Sequence, residues 1–394
     1  MNVLFWMSTS FQTTSRHLLI SVLEALCQDG HHVTVLKKKV DEEIEELPDE
    51  LAGKNITCVS IPIKSSNKSN LIARYLKDVE YISKCKRHLS TKYDAVFVQS
   101  SNVAGLVFRI LRRKQSGAVK TFNVQDTFPE NTSFSGTLDS SGIPYRVLKR
   151  IQNSAYRIAD NIITISEDMK QLLVDDCGAD PGKVEVVYNW SYTDEVYDSG
   201  SYDREAISKF FKAGYYSVVY AGNIGVMQNV DVIVEAANLL KNSKDIWFYI
   251  IGNGVYKEKL QQKATQNGIN NISFLPMQPS ELAPSIYGLA DVNIIPLKKD
   301  VYKTALPSKT ATCMACKKPI IFAIGKSSKF GKRIVEETGC LLIDSDDPKG
   351  LADAILSYKD GNVQVKTGDF FRKHMTKSAN SRRYAEIIVG RKRQ

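Results

Sequence analysis

Two rhythms of apolar residues alternate along the chain. Short unbroken β-branched and aromatic runs are separated by longer stretches in which Leu, Ile, Val and Ala return every three or four positions. Runs of the first kind suit parallel strands buried on both faces, and the second kind suits the helices that cover them. In the first half NVLFWM, HVTVLK, ITCVSIP, AVFVQS, VKTFNVQ, NIITIS and VEVVYN predict strands, and in the second half YSVVYAG, IWFYIIG, NISFLP, VNIIPL, KPIIFAI and CLLID do so. Strand and helix in steady alternation predict an α/β fold with two doubly wound, Rossmann-like parallel sheets. The polar, turn-rich stretch from Ser191 to Gly214 has only a short helical pattern near Ile207 and separates the two sets. The expected division is therefore a first domain over 1–195, a second over 196–370, and a final helix over 371–394 that crosses back to the first. That last segment ends in Arg391, Lys392 and Arg393.

Several strand-to-helix passages carry candidate chemistry. After the first strand, a Ser/Thr-rich loop leads into a helix with a Leu18, Leu19, Val22, Leu23 and Leu26 stripe that stops at Asp29 and Gly30. Free N–H groups at that helix start favour anions, and Arg16 adds positive charge there, although an ordinary cap with Arg16 in solvent has the same pattern. His17, His31 and His32 read as helix-surface and turn residues. In the second half, YAGNIG places Gly222 and Gly225 between a strand and a helix, and IIGNGVYKEKL repeats the device with Gly252, Asn253 and Gly254 ahead of Lys257 and Lys259. Tight turns use glycine for steric reasons alone, but two such passages in succession predict a phosphate-binding edge at the strand carboxyl ends. In TALPSKTATCMACKKPIIFAIG, Pro307 and Ser308 open a helix whose first turn holds Lys309 and Thr310. In the first half, VQDTFPE follows a strand and puts Gln125, Asp126 and Glu130 at its carboxyl end, where a carboxylate either holds a substrate hydroxyl, takes a proton, or merely caps a helix.

Composition narrows the setting. With 394 residues, 43% hydrophobic and 24% charged, the chain has ordinary globular content for two cores. Its opening residues lack the zones of a signal peptide and no apolar run reaches membrane-spanning length, so a cytoplasmic location is expected, with peripheral attachment left open. Seven cysteines, an odd count set mostly in apolar surroundings such as EALCQ and TCMAC, suggest neither disulfides nor zinc. The formal charge of +10 calls for an anionic partner. Basic residues cluster over 64–92 (Lys64, Lys68, Arg74, Lys77, Lys84, Lys86, Arg87, Lys92) and over 106–114, each with interleaved apolar positions. These read either as solvated helix faces or as elements that adsorb to an anionic inner-membrane surface. Nothing resembles a helix-turn-helix or an RNA-recognition motif, which argues against nucleic acid.

The Pro-Ser-Lys helix start followed by Met-Ala-Cys and Lys-Pro-Ile-Ile resembles the donor-site helix of retaining GT-B glycosyltransferases of the family 4, group 1 type. NVQDTFPE, ADNIITISEDMKQLL, KVEVVYNW, YAGNIG, IIGNGVYKEKL, LADVNIIPL and DDPKGLADAI match the same family in order, and the nearest likeness is to the bacterial surface-polysaccharide subgroup that includes N-acetylfucosamine transferases of O-antigen synthesis. The resemblance implies two domains facing a cleft. It implies a nucleoside-diphosphate sugar, UDP-linked, as co-substrate, no further cofactor, and an undecaprenyl-diphosphate-linked saccharide as acceptor. Donor binding would fall to Gly222, Asn223, Gly225, Gln228, Gly252, Asn253, Gly254, Met277, Ser308, Lys309 and Thr310, and catalysis to Asp126, Glu130, Arg16 and Lys309. The broader family's phosphate-binding arginine and lysine fall on Asn223 and Gln228, and its paired glutamates on Thr304 and Thr312, so the usual clamp is missing here. Asp344-Ser345-Asp346 imitates a metal-binding carboxylate pair, but LLIDSDDPKGLADAI reads as strand, turn and a helix capped near Asp346 or Asp347 with Pro348 at its first position, so no metal is expected. A UDP-N-acetylglucosamine 2-epimerase-like enzyme of the same fold and an inactive homologue are the competing readings.

Overall fold

A computed structural model describes residues 1–13, 15–40, 47–64, 71–134, 136–361 and 364–391. Lys68, Lys392 and Arg393 lie outside the described residues. The chain divides into two compact units, Met1–Asn189 with Lys377–Gln394, and Trp190–Thr376.

In the first unit β1 (Asn2–Trp6), α1 (Arg16–Gln28), β2 (His32–Val40), β3 (Ile56–Ile63), α2 (Leu71–Cys85), β4 (Ala95–Val98), α3 (Ala104–Lys114), β5 (Val119–Val124), α4 (Glu130–Phe134), α5 (Ile143–Ile158), β6 (Asn161–Thr164), α6 (Glu167–Asp175) and β7 (Val184–Val186) follow one another. The strands make a seven-stranded sheet in the order β3-β2-β1-β4-β5-β6-β7, and every pairing is parallel. β4 is buried along its whole length, as expected of a central strand covered on both faces. Phe5 and Phe97 stack across β1 and β4 with centroids 4.4 Å apart.

The second unit contains α7 (Arg204–Ser208), β8 (Tyr216–Ala221), α8 (Asp231–Leu239), β9 (Ile246–Ile251), α9 (Lys257–Gln266), β10 (Ile272–Leu275), α10 (Ala283–Leu289), β11 (Val292–Pro296), α11 (Lys309–Ala315), β12 (Ile320–Ala323), α12 (Lys329–Thr338), β13 (Leu341–Ile343), α13 (Pro348–Lys359) and α14 (Thr367–His374). Its six parallel strands run β10-β9-β8-β11-β12-β13. The order reverses beside β8, and a sheet of this kind offers its ligand crevice at the carboxyl ends of the strands flanking such a reversal. Val218, Phe248, Ile250, Ile294 and Ile321 pack with α8 and α13 into the core that holds this edge.

The last helix, α15 (Lys377–Ile388), belongs to the first unit and lies against α1. Tyr384, Ala385, Ile387 and Ile388 are its buried side. Arg383 holds Glu185 through two N–H···O contacts of 2.5 and 2.6 Å, a fork on a carboxylate. The division falls after Asn189, and the return comes at Lys377 rather than at 371 because α14 packs on α11 and α12 of the second unit. No helix among the described residues is long and apolar enough to cross a membrane.

Candidate functional site

The carboxyl edge of the second sheet is built from three loops joined by their backbones. Gly222 N–H donates to Ile251 (2.9 Å), Ile224 N–H to Asn253 (2.9 Å), Gly252 N–H to Leu275 (3.1 Å) and Tyr256 N–H back to Ile224 (3.1 Å). Gly252, at φ +152°, has no room for a side chain, since a Cβ there would lie 1.9 Å from the Gly222 carbonyl oxygen. Lys257, on the following helix, caps the Gly252 and Leu275 carbonyls at 2.8 Å each, so its charge fastens the loops together. Asn253, Gly254 and Met277 are exposed at this edge.

Lys309 runs into the same edge from the start of α11. Its Nζ is buried, lies 3.7 Å from the Tyr220 ring centroid, and has no hydrogen-bond partner. A Cβ on Gly222 would sit 2.7 Å from that nitrogen, so the missing side chain at Gly222 is what makes room for it. Burial lowers the Lys309 pKa to about 7, with the Cys313 thiol opposing weakly. An ammonium this poorly solvated gains most from an anion brought beside it.

Asn223 and Gln228 hold each other, Nδ2 to Oε1 at 3.2 Å, and form a neutral amide pair beside the Gly222–Gly225 turn. Thr304 Oγ1 donates to the Val301 carbonyl, and Thr312 Oγ1 meets Ser191 Oγ at 3.3 Å, so these two positions are closed by internal bonds. Ser308 is exposed and makes no side-chain cap. Thr310 corrects an expectation: its side chain is buried and its hydroxyl donates its one proton to the Pro307 carbonyl at 2.7 Å, a local bond that leaves it none to donate to a phosphate.

Next to this edge is a cavity of about 280 Å³ with Asp300, Tyr302, Ser327, Asp344 and Asp346 in its wall. Its carboxylates are engaged: Asp344 accepts from Lys326 N–H at 2.9 Å, Asp346 from Asn229 Nδ2 at 3.3 Å, and Asp300 pairs with Lys303 at 2.8 Å. Asp347 caps α13 through Gly350 N–H with Pro348 next. Among the described residues no three His, Cys, Asp or Glu side chains converge as metal ligands.

At the carboxyl edge of the first sheet, Gln125 is fixed by three partners. Its amide donates to Asn123 Oδ1 (3.1 Å) and Tyr384 Oη (3.2 Å), and its oxygen accepts from Asn189 Nδ2 (2.8 Å). Asp126 follows it, is solvent-accessible and has no side-chain partner among the described residues. Desolvation by surrounding protein nevertheless raises its pKa above the usual carboxylate value. It caps no helix, because α4 starts at Glu130.

Glu130 is not on the rim. Only 5% of it is exposed, its Oε1 pairs with Lys149 at 3.1 Å, and the Cys177 thiol donates to the same oxygen. The short turn after Asp126 carries the chain inward, so the carboxylate serves an internal ion pair. Arg16 begins α1 as expected, but its guanidinium bonds Glu50 of a distant turn at 3.1 Å, an exposed ion pair that a phosphate would have to displace.

Comparison with known proteins finds two family profiles, one over each half of the chain. A family profile described as Glycosyltransferase Family 4 matches residues 17–195, and one described as Glycosyl transferases group 1 matches residues 216–359. The "Probable glycosyltransferase WbjE" of Pseudomonas aeruginosa is 29% identical over 287 residues, which is 72% of this chain and 70% of that one. Among solved structures, WaaG, a glycosyltransferase involved in lipopolysaccharide biosynthesis, superposes with a TM-score of 0.69 at 12% identity over 99% of this chain and 100% of its own. HepE of Anabaena, solved with UDP and glucose, reaches 0.64 at 15% identity over 99% and 95%. At those identities the two structures speak for the fold alone.

Proposed function

Since the chain belongs to the family 4, group 1 glycosyltransferases, we propose that it moves an N-acetylated hexose, with retention, from a UDP-linked donor to a lipid-linked saccharide on the cytoplasmic side of a membrane, in surface-polysaccharide synthesis. The second unit holds the nucleotide sugar and the first presents the acceptor. UDP as the carrier is supported by HepE, a fold neighbour solved with UDP and glucose.

Lys309 is the observation that carries this reading. A buried, unpartnered ammonium at the carboxyl edge of a doubly wound sheet suits a diphosphate, whose negative charge grows as the glycosidic bond breaks. With its pKa near 7 in the free protein, Lys309 takes up a proton as the diphosphate arrives and is fully charged when the leaving group needs it. Asn223 and Gln228 offer neutral N–H donors where the broader family has cations, so more of the charge stabilisation falls on Lys309. Transfer of this kind needs no enzyme nucleophile; alignment and stabilisation of the departing diphosphate and of the oxocarbenium-like carbon suffice. Asp126 orients the acceptor hydroxyl or takes its proton. No metal is needed where Lys309 supplies the positive charge.

Lys309→Ala tests the reading. Transfer should fall at least tenfold, the equivalent of about 1.4 kcal/mol in the barrier, while circular dichroism and solubility stay unchanged. A folded variant with full activity would remove the diphosphate from this edge.

A further inference from the structure

The cavity of about 280 Å³ in the second unit lies at the carboxyl ends of β11, β12 and β13, walled by Asp300, Tyr302, Ser327, Asp344, Ser345 and Asp346. The glycine loops and Lys309 gather instead at the ends of β8 and β9. The turn over 226–229 forms the partition. On one side of it Gln228 meets Asn223. On the other, Asn229 Nδ2 donates to the Ser345 carbonyl at 2.6 Å and to Asp346 Oδ1 at 3.3 Å, and the Met227 carbonyl accepts from Lys298 N–H at 2.9 Å. The donor chemistry assigned to Lys309 uses none of the side chains in this wall.

Ser345 is only 3% exposed, yet its hydroxyl has no hydrogen-bond partner among the described residues. Gly325, at φ +109°, stands between it and Tyr302: a Cβ there would lie 3.9 Å from Ser345 Oγ and 3.5 Å from the Tyr302 ring. The absent side chain opens a space that both residues face. Tyr302 is held in place by its hydroxyl, which meets Ser327 Oγ at 2.7 Å. Each aspartate commits one oxygen to the protein, Asp344 to Lys326 N–H, Asp346 to Asn229 and Asp300 to Lys303. The second oxygen of each accepts from no donor among the described residues. A buried hydroxyl without a partner has lost its hydration and gained nothing in return, so the fold itself has no use for the one on Ser345.

Free acceptor oxygens on three carboxylates call for a ligand with several hydrogen-bond donors, and a serine hydroxyl suits groups that both donate and accept. Three carboxylates against the single Lys299 in the wall repel a phosphate. A divalent cation would need acidic side chains that converge on one point, and among the described residues no three do. A sugar ring meets every requirement: its hydroxyls donate to carboxylates and exchange bonds with serines, and its C–H face suits the Tyr302 ring. The volume, just below that of pockets for drug-sized ligands, suits one ring and is too small for a nucleotide. We propose that this cavity is a second carbohydrate site, which takes one neutral sugar ring other than the hexose being transferred. Ser345 and the free oxygens of Asp300, Asp344 and Asp346 are its hydrogen-bond partners. The site goes beyond the proposed function and is tested apart from it, since binding is read with no transfer taking place.

The experiment is saturation-transfer NMR of the full chain with glucose, N-acetylglucosamine and N-acetylgalactosamine, in EDTA, with and without saturating UDP. At least one of these sugars should give a signal that survives UDP. Two variants place it: Ser345→Ala removes only the unpartnered hydroxyl, and Asp300→Asn keeps a residue that tolerates the φ of +66° at that position. Each should weaken binding by about fivefold or more. Ser345→Ala should leave the thermal midpoint unchanged or raise it, so that a lost signal is not a lost fold. No signal from the wild type, or a signal that both variants retain, means that the cavity holds water only and overturns the proposal. A UDP-hexose that abolishes the Ser345-dependent signal where UDP does not makes the ring the donor's own, and overturns it too. So does preferential binding of protonated glucosamine or of glucose 1-phosphate, which would make this a site for charge. Transfer assayed in parallel separates the two readings: sugar binding without transfer counts against the proposed function alone, and transfer without sugar binding counts against the second site alone.

Discussion

Holding the Lys309 ammonium in the protein without a partner costs the free fold stability. Its pKa near 7 lies below the ordinary lysine value of about 10.4, so between those values the unfolded chain holds a proton that the folded chain has lost. This group's penalty is therefore full below pH 7 and disappears as pH rises toward 10, and at neutral pH it is on the order of 4 kcal/mol. Lys309→Met, which keeps the stem and drops the charge, should raise the unfolding midpoint of the free protein at pH 7 by several degrees while donor affinity falls. Calorimetry with and without UDP reads both, and an unchanged or lowered midpoint would mean that Nζ is solvated. Asp126 calls for a different variant. It caps no helix, so Asp126→Asn should leave stability and donor affinity as they are and lower acceptor turnover by about two to four orders of magnitude; near-normal turnover would take it off the catalytic list. Of the residues chosen from sequence, those on the glycine loops and Lys309 gather at one edge, because strand carboxyl ends in such sheets converge. Glu130, Arg16 and Thr310 were illegible for a common reason: each is claimed by a bond that residue type and spacing do not announce, to Lys149, Glu50 and the Pro307 carbonyl.

All thirteen strands of the two sheets coincide with runs that read as strands in the sequence. Parallel strands covered on both faces need unbroken apolar residues, and IIFA of β12 or AVFV of β4 cannot be mistaken for one side of a surface helix. Helix faces were less legible, since α2 and α3 have similar mixtures of cations and aliphatics, and only packing decides that α2 turns Ile72 and Leu76 outward while α3 turns Val107 and Phe108 inward. The second glycine loop also explains itself only in three dimensions. Gly252→Ala would drive a methyl group into the Gly222 carbonyl, so the variant should lose at least about 2 kcal/mol of stability and bind UDP weakly even where it folds. Chemical denaturation and a binding isotherm decide it, and a stable Gly252→Ala protein with normal UDP affinity would show that the β8 and β9 loops are not locked together.

At the scale of the whole molecule, the chain completes one unit, builds a second, and returns with α15 to close the first. Tyr384 of that last helix bonds Asn123 and Gln125, so the residue before Asp126 is positioned by the end of the chain. Charge is distributed with similar economy of place: the first unit's α2, α3 and α5 hold nearly the whole positive excess, whereas the cation assigned to the donor is Lys309, with its Nζ buried. These features together serve the proposed activity, transfer from a UDP-sugar to a lipid-linked saccharide. Its most direct test is mass spectrometry of the products formed by the wild-type protein from a panel of UDP-hexoses and UDP-N-acetylhexosamines, with and without a lipid-linked acceptor and with EDTA throughout. An acceptor heavier by one N-acetylated hexose should appear together with released UDP, and only when both substrates are present. Isomerised donor without any acceptor, or product that forms only once magnesium or manganese is restored, would contradict it.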